Sequence, residues 1–455
     1  MNLGRGRKAA VIGLGKSGYE AALLLAELGS EVWVTDRKEN PSLRRRLFYL
    51  KKEGIKGEIG RHTLAPLLAS ELIVLSPGVD RNQGWIKKLL SHRKRVMGEL
   101  NLALSLNSIP TIAVTGTNGK STTVCLLHHF LKGKALLGGN IGIPLSYLVR
   151  KKKKGEWIIL EVSSFQLEDL QFFHPQIAVL LNITSDHLDR YPSFQEYEDT
   201  KWKIFSPQTP DDFAVVNLKV AGREEREKSI KSKMYFFSLT PHQHWGTFIK
   251  EGSIFFRDHR GEEKVCSLKG WGLPGKHNLE NLLASVCVVK LCGLPNSLIQ
   301  ERIKTFRGLP HRLEKFIQWR GITFIDDSKA TTVDSLRQAL LSLPPPLILI
   351  MGGRDKGSDF SSLSSLVKKK VKLIIAIGEC REKIVDTFTP LVRVETSSGM
   401  EEAVHTAFKF SREGDTVLLS PACSSLDMFS DYRERGRVFK EMVREEIERR
   451  KDENL

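Results

Sequence analysis

For a chain of 455 residues, cysteine is scarce: there are six, with no CxxC pair, and the closest two in sequence are Cys287 and Cys292. That spacing describes neither a disulfide framework nor a zinc site, and reduced thiols in a cytoplasmic protein are the simpler expectation. Long apolar runs are also missing. The longest, such as residues 344–351 and 176–181, are of strand length, which leaves nothing from which to build a membrane-crossing helix. The basic N-terminus is followed by an apolar run broken at once by Gly13, Gly15, Lys16 and Gly18, so no secretory leader is expected. Acidic residues are in deficit, 53 against 70 Lys and Arg, for a net charge of +17. Such a charge suits nucleic acid, an anionic membrane surface or acidic small substrates alike. The densest basic cluster, residues 150–154, has no interleaved aromatics of the kind a single-strand binding surface needs, and reads as a solvated turn. No internal repeat or low-complexity tract is present.

What is there is an alternation of apolar, β-branched runs with helical patterns, the signature of parallel sheets covered by helices. The fold class is therefore α/β. Strands are expected at 9–12, 31–35, 72–75, 111–114, 157–161, 177–182, 213–217, 323–326, 347–351, 373–377 and 416–420. Breaks at 107–110 and 308–311 predict three domains: 1–108, Rossmann-like; 109–308, a central P-loop ATPase domain with a mostly parallel sheet; and 309–455, Rossmann-like. Residues 234–273, with short aromatic runs and turn residues, predict an antiparallel insert or edge of the central domain. Ligands in open α/β sheets sit at the carboxyl ends of strands, so the chemistry is to be sought in the turns there.

Three such turns stand out. Thr115-Gly116-Thr117-Asn118-Gly119-Lys120-Ser121-Thr122 follows a strand and opens a helix. Its glycines allow backbone N–H groups to converge on a phosphate, Lys120 can neutralise the β and γ phosphates, and the Ser121 hydroxyl can bind Mg2+. A full Walker A pattern would have glycine where Val114 stands. Near the N-terminus, Gly13-Leu14-Gly15-Lys16-Ser17-Gly18 fits GxGxxG, and Asp36 closes the next strand about twenty residues on, the dinucleotide fingerprint. That pair suits a nicotinamide dinucleotide or any other nucleoside diphosphate, and it also suits tight packing without a ligand. Third, Glu161 ends a strand, and Asp186-His187 follows the strand ending at Asn182. A carboxylate and an imidazole beside a phosphate loop can complete Mg2+ shells around ATP, whereas a lone His187 would more often be a cap or surface group.

The order and spacing of these motifs resemble the Mur ligase family. The resemblance runs through GTNGKST, GGNIG at 138–142, EVSSFQLE at 161–168, NITSDHLDRYPS at 182–193, Lys201, PGKHNLEN at 274–281 and LPHRLE at 309–314. It ends in DDSKATT at 326–332, GGRDKG at 352–357 and SPACSSLDMF at 420–429. These last three, with SPG at 76–78, are similar to the family members that add D-glutamate. The resemblance covers essentially the whole chain, and departs from the common pattern at Asp326, Thr332, Ser424, Met428 and Tyr432.

The resemblance implies a cytoplasmic, monomeric enzyme of peptidoglycan precursor synthesis. In it ATP phosphorylates the terminal carboxylate of UDP-N-acetylmuramoyl-L-alanine, and the D-glutamate amine then attacks the acyl phosphate. Charge builds on a transferring phosphoryl group and then on a tetrahedral oxyanion, so preorganised cations and metals are what such a site needs. By motif, the family's catalytic positions fall on Lys120, His187, Lys201 and Lys329. ATP contacts fall on Gly116, Thr117, Asn118, Gly119, Lys120, Ser121, Thr122, Asn278, Asn281, Arg312, Asp327 and Lys329. Two Mg2+ ions fall to Ser121, Glu161, His187 and a carbamylated Lys201, which without the resemblance would be a surface lysine. The UDP-sugar falls to Gly15, Lys16, Ser17, Asp36, Arg37, Gly78, Asn140 and Gln166, and D-glutamate to Thr331, Lys356, Ser425 and Tyr432. On this reading the partners are small molecules, with no nucleic acid and no membrane insertion. A dehydrogenase would explain only the first loop. A nucleic-acid-stimulated ATPase would explain the charge, but no helicase-like or groove-reading motif supports it. Folylpolyglutamate synthase shares the central motifs and lacks the C-terminal ones.

Overall fold

A computed structural model describes residues 6–77, 79, 83–91, 95–139, 141–168, 171–184, 191–220, 224–355, 357 and 359–452. Its strands form three sheets. The first contains β1 (Lys8–Ile12), β2 (Glu31–Asp36), β3 (Lys56–Ile59), β4 (Leu72–Leu75) and β5 (Arg95–Gly98), all parallel, in the order β3-β2-β1-β4-β5. The second contains β6 (Thr111–Thr115), β7 (Ala135–Gly139), β8 (Trp157–Glu161), β9 (Ile177–Leu180), β10 (Phe213–Asn217), β11 (Lys233–Ser238), β12 (Gly246–Lys250), β13 (Ser253–Asp258) and β14 (Gly261–Ser267). Its order, β14-β13-β12-β11-β10-β9-β6-β8-β7, puts β6 between β9 and β8. The third contains β15 (Glu314–Trp319), β16 (Ile322–Asp326), β17 (Leu347–Gly352), β18 (Val371–Ile377), β19 (Arg393–Thr396) and β20 (Thr416–Leu419), ordered β15-β16-β20-β17-β18-β19 and parallel except at β15.

The inner strands are apolar on both faces because both faces are covered. In β1, Ala9 and Val11 enter one core and Ala10 and Ile12 another; in β17, Leu347, Leu349 and Met351 divide in the same way from Ile348 and Ile350. Each such side chain contributes roughly 1.5–3 kcal/mol by leaving water. The chain forms two compact units, one of Met1–Trp271 with Leu279–Thr305, the other of Gly272–Asn278 with Phe306–Leu455. The first unit holds the first two sheets and the second holds the third.

The segment expected to be an antiparallel insert or edge of the central domain lies at one edge of the second sheet, and it is antiparallel only in part. β11 runs parallel to both β10 and β12, extending the second sheet, and antiparallel pairing begins at β12 with β13 and β14. All six cysteines are free thiols, and burial pushes those of Cys266 and Cys292 up to about 12. The pair that meets is not the one closest in sequence: Cys380 Sγ and Cys423 Sγ lie 3.4 Å apart. Among the described residues no helix is long and apolar enough to cross a membrane.

Candidate active site

At the carboxyl end of β1 the chain turns through Gly13, at φ +89°, into the helix Lys16–Glu27, whose N-cap is Gly15. The glycines serve different ends. A Cβ at Gly18 would lie 1.9 Å from the Gly13 carbonyl oxygen, so that glycine is there for packing, whereas a Cβ at Gly15 would meet nothing within 4 Å. Asp36, at the end of β2, accepts the Leu14 N–H on Oδ2 at 2.7 Å and the Lys38 N–H on Oδ1 at 2.9 Å. The Leu14 carbonyl accepts from Arg46 Nη1 at 2.9 Å, and the Gly13 carbonyl accepts from Ser76 Oγ at 2.7 Å. Asp36 therefore buttresses the loop. Lys16 and Arg37 are exposed beside it and Ser17 is half-buried.

The second glycine loop leaves β6 and enters the helix Lys120–Phe130. Gly116 and Gly119 adopt φ +154° and +85°. A Cβ would come 2.9 Å from Leu181 Cβ at Gly116 and 2.3 Å from Asn281 Oδ1 at Gly119, so no larger residue fits either place without a shift. Neighbouring strand ends hold the loop. The Thr117 N–H donates to the Asn182 carbonyl at 3.0 Å, and the Asn118 N–H to Asn182 Oδ1 at 2.8 Å. Thr117 Oγ1 accepts the Thr184 N–H at 3.0 Å and lies 3.1 Å from Tyr197 Oη. Lys120 Nζ curls back to donate to the Gly116 and Thr117 carbonyls at 2.8 and 2.9 Å. Ser121 Oγ donates to Glu161 Oε2 at 2.8 Å, and Glu161, at the end of β8, is itself buried. Thr122 continues the first turn of the helix, buried. Lys201, on the helix Phe194–Trp202, is only 1% exposed, with Nζ 4.6 Å from the centre of the Tyr197 ring. It is therefore no surface lysine. Gln166 Oε1 accepts the Ser163 N–H at 2.9 Å, which makes this side chain half of a capping box.

In the other unit, Asp326 ends β16 and the turn after it carries Asp327 and Lys329. Asp327 is buried: its Oδ2 accepts from Ser420 Oγ at 2.8 Å and its Oδ1 accepts the Leu313 N–H at 3.1 Å. Burial pushes its carboxyl up to about 7, against the pull of these hydrogen bonds and of the Arg312 charge. Arg312 Nε is buried with no hydrogen-bond partner among the described residues. Asp326 Oδ2 lies 2.7 Å from His311 Nδ1 and 3.3 Å from Lys440 Nζ. Lys329 Nζ lies 5.3 Å from the centre of the Tyr432 ring, and its N–H donates to the His311 carbonyl at 3.1 Å. The Thr331 N–H closes a tight turn onto the Lys329 carbonyl at 2.9 Å. Ser425 is buried, and its carbonyl accepts from the Met428 and Phe429 N–H groups. Asn278 Nδ2 donates to the Pro274 carbonyl at 2.7 Å, tying the first turn of the helix Lys276–Leu291 to the residues before it.

Gly78, Asn140, His187 and Lys356 lie outside the described residues. In the first unit the two glycine loops, Asp36, Ser121 and Glu161 lie at strand ends, in the second Asp327 and Lys329 do, and several unexpected residues join them. Asn182, as the polar residue ending an apolar strand, carried a signal that could have placed it at the phosphate loop. Tyr197, His311 and Arg435 carried none. Arg435 is 1% exposed and ties Ser328 Oγ and carbonyl and the Cys423 carbonyl together at 2.8–3.2 Å, with burial pulling its guanidinium down to about 10.

Two glycine loops at parallel strand ends, one with a lysine and a serine–carboxylate pair, define a nucleotide-binding protein, and the comparisons give its class. The chain belongs to the Mur ligase family. Residues 7–98 match the MurD-like N-terminal domain of Mur ligases, 114–289 the Mur ligase middle domain, and 311–423 the Mur ligase glutamate ligase domain. Among its relatives, the UDP-N-acetylmuramoylalanine--D-glutamate ligase of Koribacter versatilis is 39% identical, over 98% of this chain and 99% of that one. The protein of the same name from Thermoanaerobacter pseudethanolicus is 38% identical, over 97% and 99%. Solved structures share the fold. The UDP-N-acetylmuramate-alanine ligase of Thermotoga maritima matches with a TM-score of 0.60 at 19% identity, covering 96% of this chain and 99% of that one. The MurF ligase of the same organism, solved with ADP, matches at 0.59 and 18%, covering 98% and 96%.

Proposed function

We propose that this chain is an ATP-dependent ligase that joins D-glutamate to UDP-N-acetylmuramoyl-L-alanine in peptidoglycan precursor synthesis, working as a cytoplasmic monomer. The observation that carries the chemistry is the Ser121 hydroxyl 2.8 Å from buried Glu161 at the mouth of the glycine loop. The relatives' shared name, over nearly the full length of each chain, supports the acceptor and donor. In this reading residues 1–108 bind the UDP-sugar, 109–308 bind ATP, and 309–455 supply the amino-acid site and further ATP contacts.

The loop suits a triphosphate: Gly116 and Gly119 allow the turns at φ +154° and +85° that lead the backbone into a helix N-terminus, and Lys120 is anchored at the loop's edge. Hard oxygen donors from Ser121 and Glu161 suit Mg2+, with His187 and Lys201 assigned to a second ion. Bound there, Mg2+ would neutralise charge on the phosphates. A carbamate on Lys201 would replace a buried cation by an anion beside Tyr197, which suits a group that must face a metal. Lys120 would orient the γ phosphate toward the substrate carboxylate, and Lys329 and Arg312, whose Nε is unpartnered among the described residues, would hold ATP oxygens. The amine of D-glutamate then attacks the acyl phosphate and inorganic phosphate leaves. Thr331, Lys356, Ser425 and Tyr432 are assigned to the amino acid. The uridine diphosphate is assigned to Gly15, Lys16, Ser17, Asp36, Arg37, Gly78, Asn140 and Gln166.

Phosphate release from ATP, measured with UDP-N-acetylmuramoyl-L-alanine and each of D-glutamate, L-glutamate, L-lysine and meso-diaminopimelate, tests the reading. Release that depends on D-glutamate alone is expected. Release with a different amino acid would overturn the acceptor, and release with none would overturn the ligase.

A further inference from the structure

The helix Pro41–Lys52, PSLRRRLFYLKK, takes no part in the chemistry above. It is well made: Asn40 Oδ1 accepts the Leu43 N–H at 3.0 Å, Pro41 opens the first turn, and Lys51 and Lys52 sit in the last. Leu43, Leu47 and Leu50 are buried against β1 and β2 in the first core. The outward face is unusual. Phe48 and Tyr49 stand 56% and 50% exposed, flanked by exposed Arg44, Arg45, Lys51 and Lys52. The helix holds five cations and no carboxylate between Pro41 and Lys52; its C-cap is Glu53, and among the described residues its ion pair is with Glu39, outside the helix, to Arg44 at 2.8 Å.

Two large rings set among cations, with no acid between them, suit a surface that is anionic above and apolar just beneath. The cations meet headgroups while the rings reach the acyl boundary. We propose that this helix docks the protein peripherally on an anionic lipid bilayer, lying in the plane of the surface. The net charge of +17 complements such a surface and acts at long range to bring the chain to it. Single-stranded nucleic acid fits the face less well. The Phe48 and Tyr49 rings meet edge to face, 5.8 Å apart at 67°, and Lys52 Nζ sits 4.6 Å from the Phe48 centroid, so no pair of open parallel faces awaits stacked bases. Self-association through two copies of this face would set eight exposed cations together with no acid from either helix. The absence of a spanning helix among the described residues is consistent with adsorption rather than insertion.

The test is co-sedimentation of the full-length protein with vesicles of equimolar phosphatidylglycerol and phosphatidylcholine, and with phosphatidylcholine alone. The proposal expects binding to the anionic vesicles only, lost in high salt. The double substitution Arg45→Gln/Lys51→Gln should weaken it about 25-fold, from about 1 kcal/mol per cation near such a surface. Phe48→Ser/Tyr49→Ser should weaken it about tenfold by removing the apolar contact. Arg46 is left alone because it holds the Leu14 carbonyl. An unchanged thermal midpoint shows that each variant is folded, whatever its activity. Equal binding to neutral vesicles, or binding that both variants keep, overturns the proposal. So does tighter binding to an oligonucleotide that Phe48→Ser/Tyr49→Ser abolishes, or a concentration-dependent dimer that the same variant dissolves.

Discussion

Replacing Asp327 by Asn should stabilise the C-terminal unit at alkaline pH while impairing turnover. An unfolded aspartate ionises near 3.8, and in the folded unit burial lifts this carboxyl to about 7. Between those values the folded chain keeps a proton that the unfolded chain has lost. The stability linked to this group is therefore fully present below about pH 4, falls as pH rises, and is gone above about pH 7. Three pKa units at about 1.4 kcal/mol each set the loss at about 4 kcal/mol, an upper figure because solvent and side chains relax around a buried charge. Asparagine has nearly the same shape and is neutral throughout. Its carbonyl can accept the Leu313 N–H and its amide can donate to Ser420 Oγ, replacing both contacts of the carboxylate. Scanning calorimetry at pH 4 and pH 8 should show no gap between variant and wild type at the lower pH and a higher midpoint for the variant at the upper. The expected gain is roughly 2–4 °C for each kcal/mol. An equal gap at both values, or a variant less stable at pH 8, would refute a protonated Asp327 in the folded state.

Gly119→Ala should abolish measurable ATP turnover, because the residue needs φ +85° and its Cβ would lie 2.3 Å from Asn281 Oδ1; isothermal titration with ATP should show binding weakened by tenfold or more, on the order of the strain at such a position. Lys201→Ala should lose activity that a small carboxylic acid partly restores, and full activity without it would refute the metal role. Lys329→Ala should cut phosphate release by about a hundredfold, the usual worth of a charge held against a transferring phosphoryl group, and leave UDP-sugar binding measured by titration unchanged. Unchanged turnover would remove Lys329 from the ATP site.

The inner strands were legible because burial on both faces forces continuous apolar runs, as in LIVL of β4, IAVL of β9 and LILIMG of β17. KGEI of β3, RVMG of β5 and RVET of β19 were not, since each is an edge strand with polar residues among few apolar ones. Two glycines at the end of β7 hid a strand that forms because β8 offers it an edge. At the site, the glycine loops were visible locally because only glycine tolerates those backbone angles beside such close neighbours. Contacts made across the fold left no local trace. Tyr197 reaches Thr117 across 80 residues from the helix Phe194–Trp202, and Ser420 reaches Asp327 across 93 because β16 and β20 are parallel neighbours. The burial of Lys201 was likewise invisible to spacing, and only its place in the family pattern marked it.

The loop after β1 is braced by three of the chain's own side chains, Asp36 on the Leu14 N–H, Arg46 on the Leu14 carbonyl and Ser76 on the Gly13 carbonyl. A loop held in this way is already shaped before anything arrives. Its entropy is lost at folding rather than at association, so a ligand seated there retains more of its contact energy as affinity. The same bracing makes the seat selective by shape: an incoming group must fit the existing curve of the backbone, because bending the loop would break hydrogen bonds that reach to the end of β2, to the helix Pro41–Lys52 and to the turn after β4.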